Sequence, residues 1–399
     1  MDSAEAKQRN GRRLRLAALV VLLAVATTAG TYLQGALSVL SAEVIDEFGI
    51  SRSQLGVFFT IFSVTGGLSS PLLGSLTDLR VRRMLAGLFV VATAGLLLTA
   101  AAPSFGWVLV GGVIGGLALG AGNPATNKIV SEQVSMRRRG LAIGVKQAGP
   151  PLGLLLSGVL LPPLASAFGW RWALAVTAVF PIAGILATRR LVPADRPRSP
   201  ARVVGGGRAR EVRSGRLTLG YLAGIGMLVA MGGSGIIAFL PLYAREDVGM
   251  SAVMAGLVAA VMGVTGVVAR VLWGIYANRF RHASAPLAAL SVAAFMSSFA
   301  LWAGSGAPWL LWLGAFGSGA SMLAWHAVAW LALLSAVEAD GVGRATGLVQ
   351  LGNSVGFGSG PPLVGLLVDS FSYAWGWAFV AACFGLATIL TLLWRRVAA

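Results

Sequence analysis

Apolar runs about twenty residues long fill the chain from end to end, broken by short stretches rich in arginine, glycine and proline. An α-helix rises 1.5 Å per residue, so about 20 residues cross roughly 30 Å of hydrocarbon. On that measure the pattern predicts twelve membrane-spanning helices, near residues 15–40, 54–76, 84–102, 106–130, 140–162, 172–190, 217–241, 252–276, 284–304, 308–333, 344–368 and 375–394. The fold class expected is all-α and integral to the membrane. Arg9, Arg12, Arg13 and Arg15 precede the first run as the basic segment of a signal peptide would. The apolar stretch is too long for that and no small-residue cleavage site follows, so a retained first helix is expected.

The pattern is written twice. Gly49-Ile50-Ser51 with Gly56 returns as Gly249-Met250-Ser251 with Gly256, and Trp170-x-Trp172-Ala173 returns as Trp375-x-Trp377-Ala378. Between them, Gly140-x-Ala142-x-Gly144-x-x-Gln147-x-Gly149 returns as Gly343-x-Ala345-x-Gly347-x-x-Gln350-x-Gly352. Two pseudo-symmetric six-helix bundles are therefore predicted, 1–190 and 217–399, with a binding site where they meet. The connecting segment 191–216 is rich in Pro, Gly and Arg and centres on Gly205-Gly206-Gly207, the composition of a mobile tether.

Charge then orients the bundles. The chain is 56% hydrophobic and 11% charged with a net charge of +17, and most of its arginines fall on one side of a twelve-helix layout. Basic residues in short loops stay cytoplasmic, so both termini are expected inside. The opposite loops carry Glu43, Asp46, Glu47, Glu246, Asp247 and Asp369, with Arg52, Arg171 and Arg245 among them. The positive balance is accounted for by topology and by contact with the lipid bilayer, and no nucleic-acid partner is implied. One cysteine, Cys383, and two histidines, His282 and His326, supply neither a disulfide framework nor a metal cluster, and no cofactor is expected.

Polar residues inside the apolar runs are the candidates for chemistry. Thr27, Thr31, Gln34 and Ser38 share one helix face, as do Gly116, Gly120, Asn123 and Asn127, and Thr346, Gln350, Asn353 and Phe357. Such stripes line an aqueous cleft or pack helices closely. Lys146 lies seven residues inside Arg139, about 10 Å into the membrane, and Arg270 lies nine before Arg279, about 13 Å in. Gln147, Trp325 and His326 come out near that depth, and Trp330 follows a turn later. A positive side chain at this depth costs at least ~2.5 kcal/mol, and every Asp and Glu falls in a loop, a terminus or about a turn from a helix end. The absent counter-charge is most simply a small anionic ligand such as a carboxylate; the competing reading is that both stems reach the cytoplasmic surface.

Several segments resemble the major facilitator superfamily. Gly74-Ser75-Leu76-Thr77-Asp78-Leu79-Arg80-Val81-Arg82-Arg83 is similar to that family's loop signature between helices 2 and 3, with Val81 in place of Gly. Its second copy, Gly274-Ile275-Tyr276-Ala277-Asn278-Arg279, has Asn where the acid would be. Gly149-Pro150-Pro151-x-Gly153 resembles the family's Gly-Pro motif of close packing and bending. Gly263-Val264-Thr265-Gly266-Val267-Val268-Ala269-Arg270 is similar to the eighth helix of the monocarboxylate branch, whose Arg engages a substrate carboxylate, with Gly266 where that branch commonly has Asp.

The resemblance implies a secondary transporter of the bacterial inner membrane, not an enzyme, working by alternating access as a monomer. Arg270, Lys146, Gln147, Asn123, Asn127, Gln34, Thr31, Gln350, Asn353, Trp325 and His326 are then substrate-site candidates. Asp78, Gly74, Arg82, Arg83, Asn278 and Arg279 are gating candidates. A proton or a counter-anion would accompany a small organic anion. Efflux of neutral or hydrophobic compounds, with Lys146 and Arg270 structural, is the alternative, and a non-transporting sensor is a further one.

Overall fold

The computed structural model describes residues 2–194, 213–276, 284–336 and 342–398, which form helices with no strand among them. The first half comprises α1 (Asp2–Val39), α2 (Ser41–Phe48), α3 (Arg52–Leu79), α4 (Val81–Ala100), α5 (Phe105–Gln133), α6 (Met136–Gln147), α7 (Gly149–Phe168), α8 (Trp170–Thr177) and α9 (Val179–Leu191). The second comprises α10 (Arg213–Glu246), α11 (Ala252–Tyr276), α12 (Ser284–Trp302), α13 (Pro308–Ala336), α14 (Val342–Ser370) and α15 (Tyr373–Ala398). Among the described residues ten spans are long and apolar enough to cross a membrane; α13 and α14, 29 residues each, are outside that ten. Most of the tether expected at 191–216 lies outside the described residues.

The repeated Gly-x-Ser motifs are helix punctuation. Gly49 ends α2 in the left-handed region at φ 59, and its repeat Gly249 stands at φ 74. Only glycine adopts that conformation without strain. Ser51 then caps α3, accepting from the Gln54 amide at 3.1 Å while Gln54 Oε1 accepts from the Ser51 amide at 2.8 Å. Ser251 takes the matching bond from Met254 at 3.3 Å.

Two expected spans are broken. The run 140–162 is interrupted at Ala148, between α6 and α7, because Pro150 and Pro151 follow and lack the N–H groups that a continuous helix needs. The run 172–190 is interrupted at Ala178, ahead of Pro181, and α2 is a short amphipathic helix beyond the twelve expected runs.

The halves meet along two crossings, α3 against α14 and α7 against α11. Both depend on backbone approaching backbone. A Cβ on Gly56 would lie 2.7 Å from Pro362 Cα, and one on Gly365 would lie 2.6 Å from the Arg52 carbonyl. On the other crossing Gly158 and Gly256 each face the other's carbonyl, and Gly263 lies over Pro151 and Leu155. Small residues permit such approaches in lipid, where van der Waals contact replaces the hydrophobic drive. The buried core of Phe58, Phe59, Phe62, Phe239 and Trp377 flanks these crossings.

Candidate functional site

The break at Ala148 leaves the end of α6 between α1 and α11. Gly149 opens α7 in contact with α1, where a Cβ would lie 2.6 Å from the Ala24 carbonyl and 2.8 Å from the Thr28 amide. Thr28 Oγ1 donates to the Gly149 carbonyl at 3.0 Å, tying α1 to the break.

Lys146, at the end of α6, turns onto α5. Its ammonium donates to Asn123 Oδ1 at 3.0 Å, Thr126 Oγ1 at 2.9 Å and Asn127 Oδ1 at 2.7 Å. All three acceptors are neutral, and Lys146 is 0% exposed, so it does not itself face the cleft. Asn123 and Asn127 are exposed. Because an ammonium only donates, it takes the carboxamide oxygens and leaves both Nδ2 groups turned away from Lys146 as donors. Thr126 passes its own proton to the Gly122 carbonyl at 2.6 Å. Sequence reading found Asn123 and Asn127 but missed Thr126; its spacing of three from Asn123 and its place beside Asn127 were the available signal.

Arg270 comes from the other half. Its Nε donates to the Leu323 carbonyl of α13 at 2.7 Å and its Nη1 to the Gln147 carbonyl of α6 at 2.5 Å. It is half-buried, and no carboxylate bridges to it or to Lys146 among the described residues. The two cations therefore converge on the last turn of α6 from opposite halves.

Around them the other candidates divide. Trp325 is buried, and His326 stacks on Phe357 at 5.7 Å and stands edge-on to Trp325 at 5.5 Å. His326 Nε2, Trp325 Nε1 and Asn353 Oδ1 have no hydrogen-bond partner among the described residues. Gln350 is exposed on α14, Gln34 is half-buried on α1, and Thr31 is bound to the Thr27 carbonyl of its own helix at 3.2 Å.

Of the gating candidates, Gly74, Arg82 and Arg83 stand at the end of the bundle that holds the N-terminus. Gly74 lies over Pro124, and Arg82 Nη2 donates to the Arg189 carbonyl of α9 at 2.8 Å, a contact within the first half. Arg83 is exposed at the start of α4. The Asp78 side chain, Asn278 and Arg279 lie outside the described residues.

The acid-rich end carries a cluster that the sequence reading used only for topology. Arg52 of α3 reaches into the second half, with Nη2 2.8 Å from Glu246 Oε2 and Nη1 3.5 Å from Asp369 Oδ1. Asp369 also accepts from the Ser53 amide at 2.8 Å, and Tyr373 donates to Glu246 at 2.5 Å. Arg245 of α10 crosses the other way to Glu43 at 2.5 Å. Here the halves are clamped together. Beside the clamp, Glu47 is held by Arg171 Nη2 at 2.5 Å and by the Trp170 indole. Burial works against the charged Glu47, but those bonds and the Arg171 charge outweigh it, so its carboxyl sits below the usual carboxylate range.

Long apolar helices in two repeated halves, with polar groups of both halves converging between them, define a membrane transport protein of the duplicated type. The sequence profile of the Major Facilitator Superfamily matches residues 18–337 and 222–399, and the chain belongs to that family. It is 25% identical over 317 residues to the uncharacterized MFS-type transporter Rv2994 of Mycobacterium tuberculosis, covering 75% of this chain and 68% of the relative. It is 32% identical over 250 residues to mouse (Mus musculus) monocarboxylate transporter 11, covering 58% and 54%. In fold it is similar to a bacterial homologue of the human lysosomal transporter Spinster, solved inward-facing and unoccupied, with a TM-score of 0.71 at 17% identity over 95% of this chain and 96% of that one.

Proposed function

We propose that the chain is a secondary active carrier of a small organic anion, a mono- or dicarboxylate, moved by alternating access through a central cleft. It spans a bacterial inner membrane twelve times with both termini inside, works as a monomer, and couples the anion to a proton or a counter-anion. The acid-rich end then faces outward, and the clamp there corresponds to a carrier closed on that side.

One observation carries this reading: two deep cations, one from each half, are satisfied by neutral oxygens alone. Neutral acceptors restore hydrogen bonds to Lys146 and Arg270 but leave two positive charges without a counter-charge. A carboxylate supplies it, and charge-assisted bonds are roughly twice as strong as neutral ones. It would be received by Arg270 and by the Nδ2 groups of Asn123 and Asn127, behind which Lys146 fixes the amide orientation and adds its field. The half-buried rings of His326 and Phe357, backed by the buried Trp325, offer an aromatic wall to the hydrocarbon part of the ligand. The similarity to mouse monocarboxylate transporter 11 supports the same ligand class.

Thermal shift of the purified protein tests the reading, comparing lactate, benzoate and succinate with uncharged compounds of matching size. A ligand at about 100 times its Kd stabilises by about 2.7 kcal/mol, a shift easily measured. Saturable stabilisation by carboxylates, followed by their counterflow in proteoliposomes, is expected. Stabilisation by the uncharged set alone would replace the anion with a neutral cargo.

A further inference from the structure

In a continuous helix the carbonyl of residue i receives the N–H of residue i+4. Pro150 and Pro151 have no N–H, so the carbonyls of Lys146 and Gln147 lose their intrahelical donors. Both are supplied from elsewhere. Thr27 Oγ1 of α1, in the same half, donates to the Lys146 carbonyl at 2.5 Å. The Gln147 carbonyl takes its bond from Arg270 of the opposite half. Gly263 and Gly266 let α11 approach Pro151, which sets Arg270 at this register. The device recurs on the other crossing. There Pro362 strips the Gly358 carbonyl, and Thr60 of the first half donates to it at 2.5 Å.

The two cross-half bonds differ in one respect that decides their behaviour. Thr60 is a neutral hydroxyl, and an anion gains little by taking it. Arg270 is a cation held by two neutral carbonyls, and a carboxylate outcompetes either.

We infer that the Gln147 carbonyl is a placeholder for the transported anion: in the empty carrier it holds Arg270 and ties α6 to α11, and the ligand carboxylate displaces it. The inference rests on the anion reading of this site. Displacement severs a bond between the halves at the centre of the molecule and leaves the half-buried Gln147 carbonyl to water. Occupancy thereby eases separation of α7 from α11, and a compound that cannot engage Arg270 leaves the tie in place. Selection and conformational change come from the same bond.

Pro151→Ala tests it, because the alanine N–H can close onto the Gln147 carbonyl while its Cβ keeps the contact with Gly266. Inter-half distances are read by electron paramagnetic resonance from spin labels on L72C and L351C, two exposed positions on α3 and α14. In P151A without ligand, the distance distribution is expected to move toward that of the wild type saturated with lactate or succinate. Carboxylate affinity is expected to rise several-fold, up to about tenfold, as one competing hydrogen bond is removed. An unchanged P151A distribution, with carboxylate binding to the wild type intact, overturns the placeholder alone. A shifted P151A distribution with no carboxylate binding to the wild type overturns the anion reading, and the placeholder with it. Should P151A not fold, the wild-type titration decides: a distribution that stays fixed as carboxylate saturates the site overturns the placeholder.

Discussion

The carboxylate of Asp369, at the end of α14, accepts the backbone N–H of Ser53 at 2.8 Å, so one half of the molecule caps a helix belonging to the other. The positive end of α3 favours a negative cap there, and Arg52 closes the arrangement by reaching to Asp369 and Glu246. Loss of an N-cap costs about 1 kcal/mol, here charged to a single conformational state. Asp369→Ala is therefore expected to shift the population away from the state closed at the acid-rich end by about fivefold. Asp369→Asn, which keeps an oxygen for the cap, should shift it less. Distances between spin labels on opposite halves at that end check both, and equal behaviour of the two variants would remove the cap from the clamp.

Asn127 offers a sharper test of the ligand site than Lys146 does. Asn127→Asp puts a carboxylate where an amide oxygen stands 2.7 Å from the Lys146 ammonium. The new acid neutralises the lysine and removes an outward donor. Carboxylate-induced stabilisation is expected to fall by at least about tenfold in apparent affinity, while the melting temperature of the empty protein does not drop. Undiminished carboxylate binding by N127D would separate Lys146 from the ligand site.

Arg270→Lys discriminates between a fork and a point charge. The guanidinium meets Leu323 and Gln147 through two different nitrogens, a planar fork that the single ammonium nitrogen of lysine does not reproduce. R270K is expected to lose carboxylate transport nearly as fully as R270A, measured by counterflow at equal reconstituted amounts. Transport by R270K near the wild-type rate would show that a point charge suffices and would remove the fork from recognition.

Gly149→Ala addresses packing at the helix break. The added Cβ meets backbone atoms of α1, the Ala24 carbonyl and the Thr28 amide, which cannot rotate aside. Overpacking of this kind costs about 1–3 kcal/mol. A lower melting temperature in detergent is expected for G149A, with Gly144→Ala, whose Cβ meets nothing within 4 Å, as the unaffected control.

The helical character of the apolar runs and the close-packing glycines were legible in the sequence because each is read from runs and short spacings. Counting residues to the nearest arginine boundary marked Lys146 and Arg270 as candidates. What Lys146 touches did not follow, because depth says nothing of direction. It turned onto α5 and became buried behind Asn123 and Asn127. The break at Ala148 was hidden inside an apolar run whose hydropathy is unaffected by two prolines. The clamp was hidden more deeply, since Arg52 and Asp369 are 317 residues apart and both read as ordinary loop charge. Only the packing of α3 against α14 brings them together.

At Gly158 and Gly256 the main chains of α7 and α11 meet directly, with only the small, rotamer-free side chains of Pro162 and Ala260 beside them. Side chains that interlock must change rotamer before two helices can roll over each other, and bare backbone has none to change. This backbone contact between the halves can thus act as a smooth bearing, carrying rotation with little friction while arginine bonds between the halves break and remake.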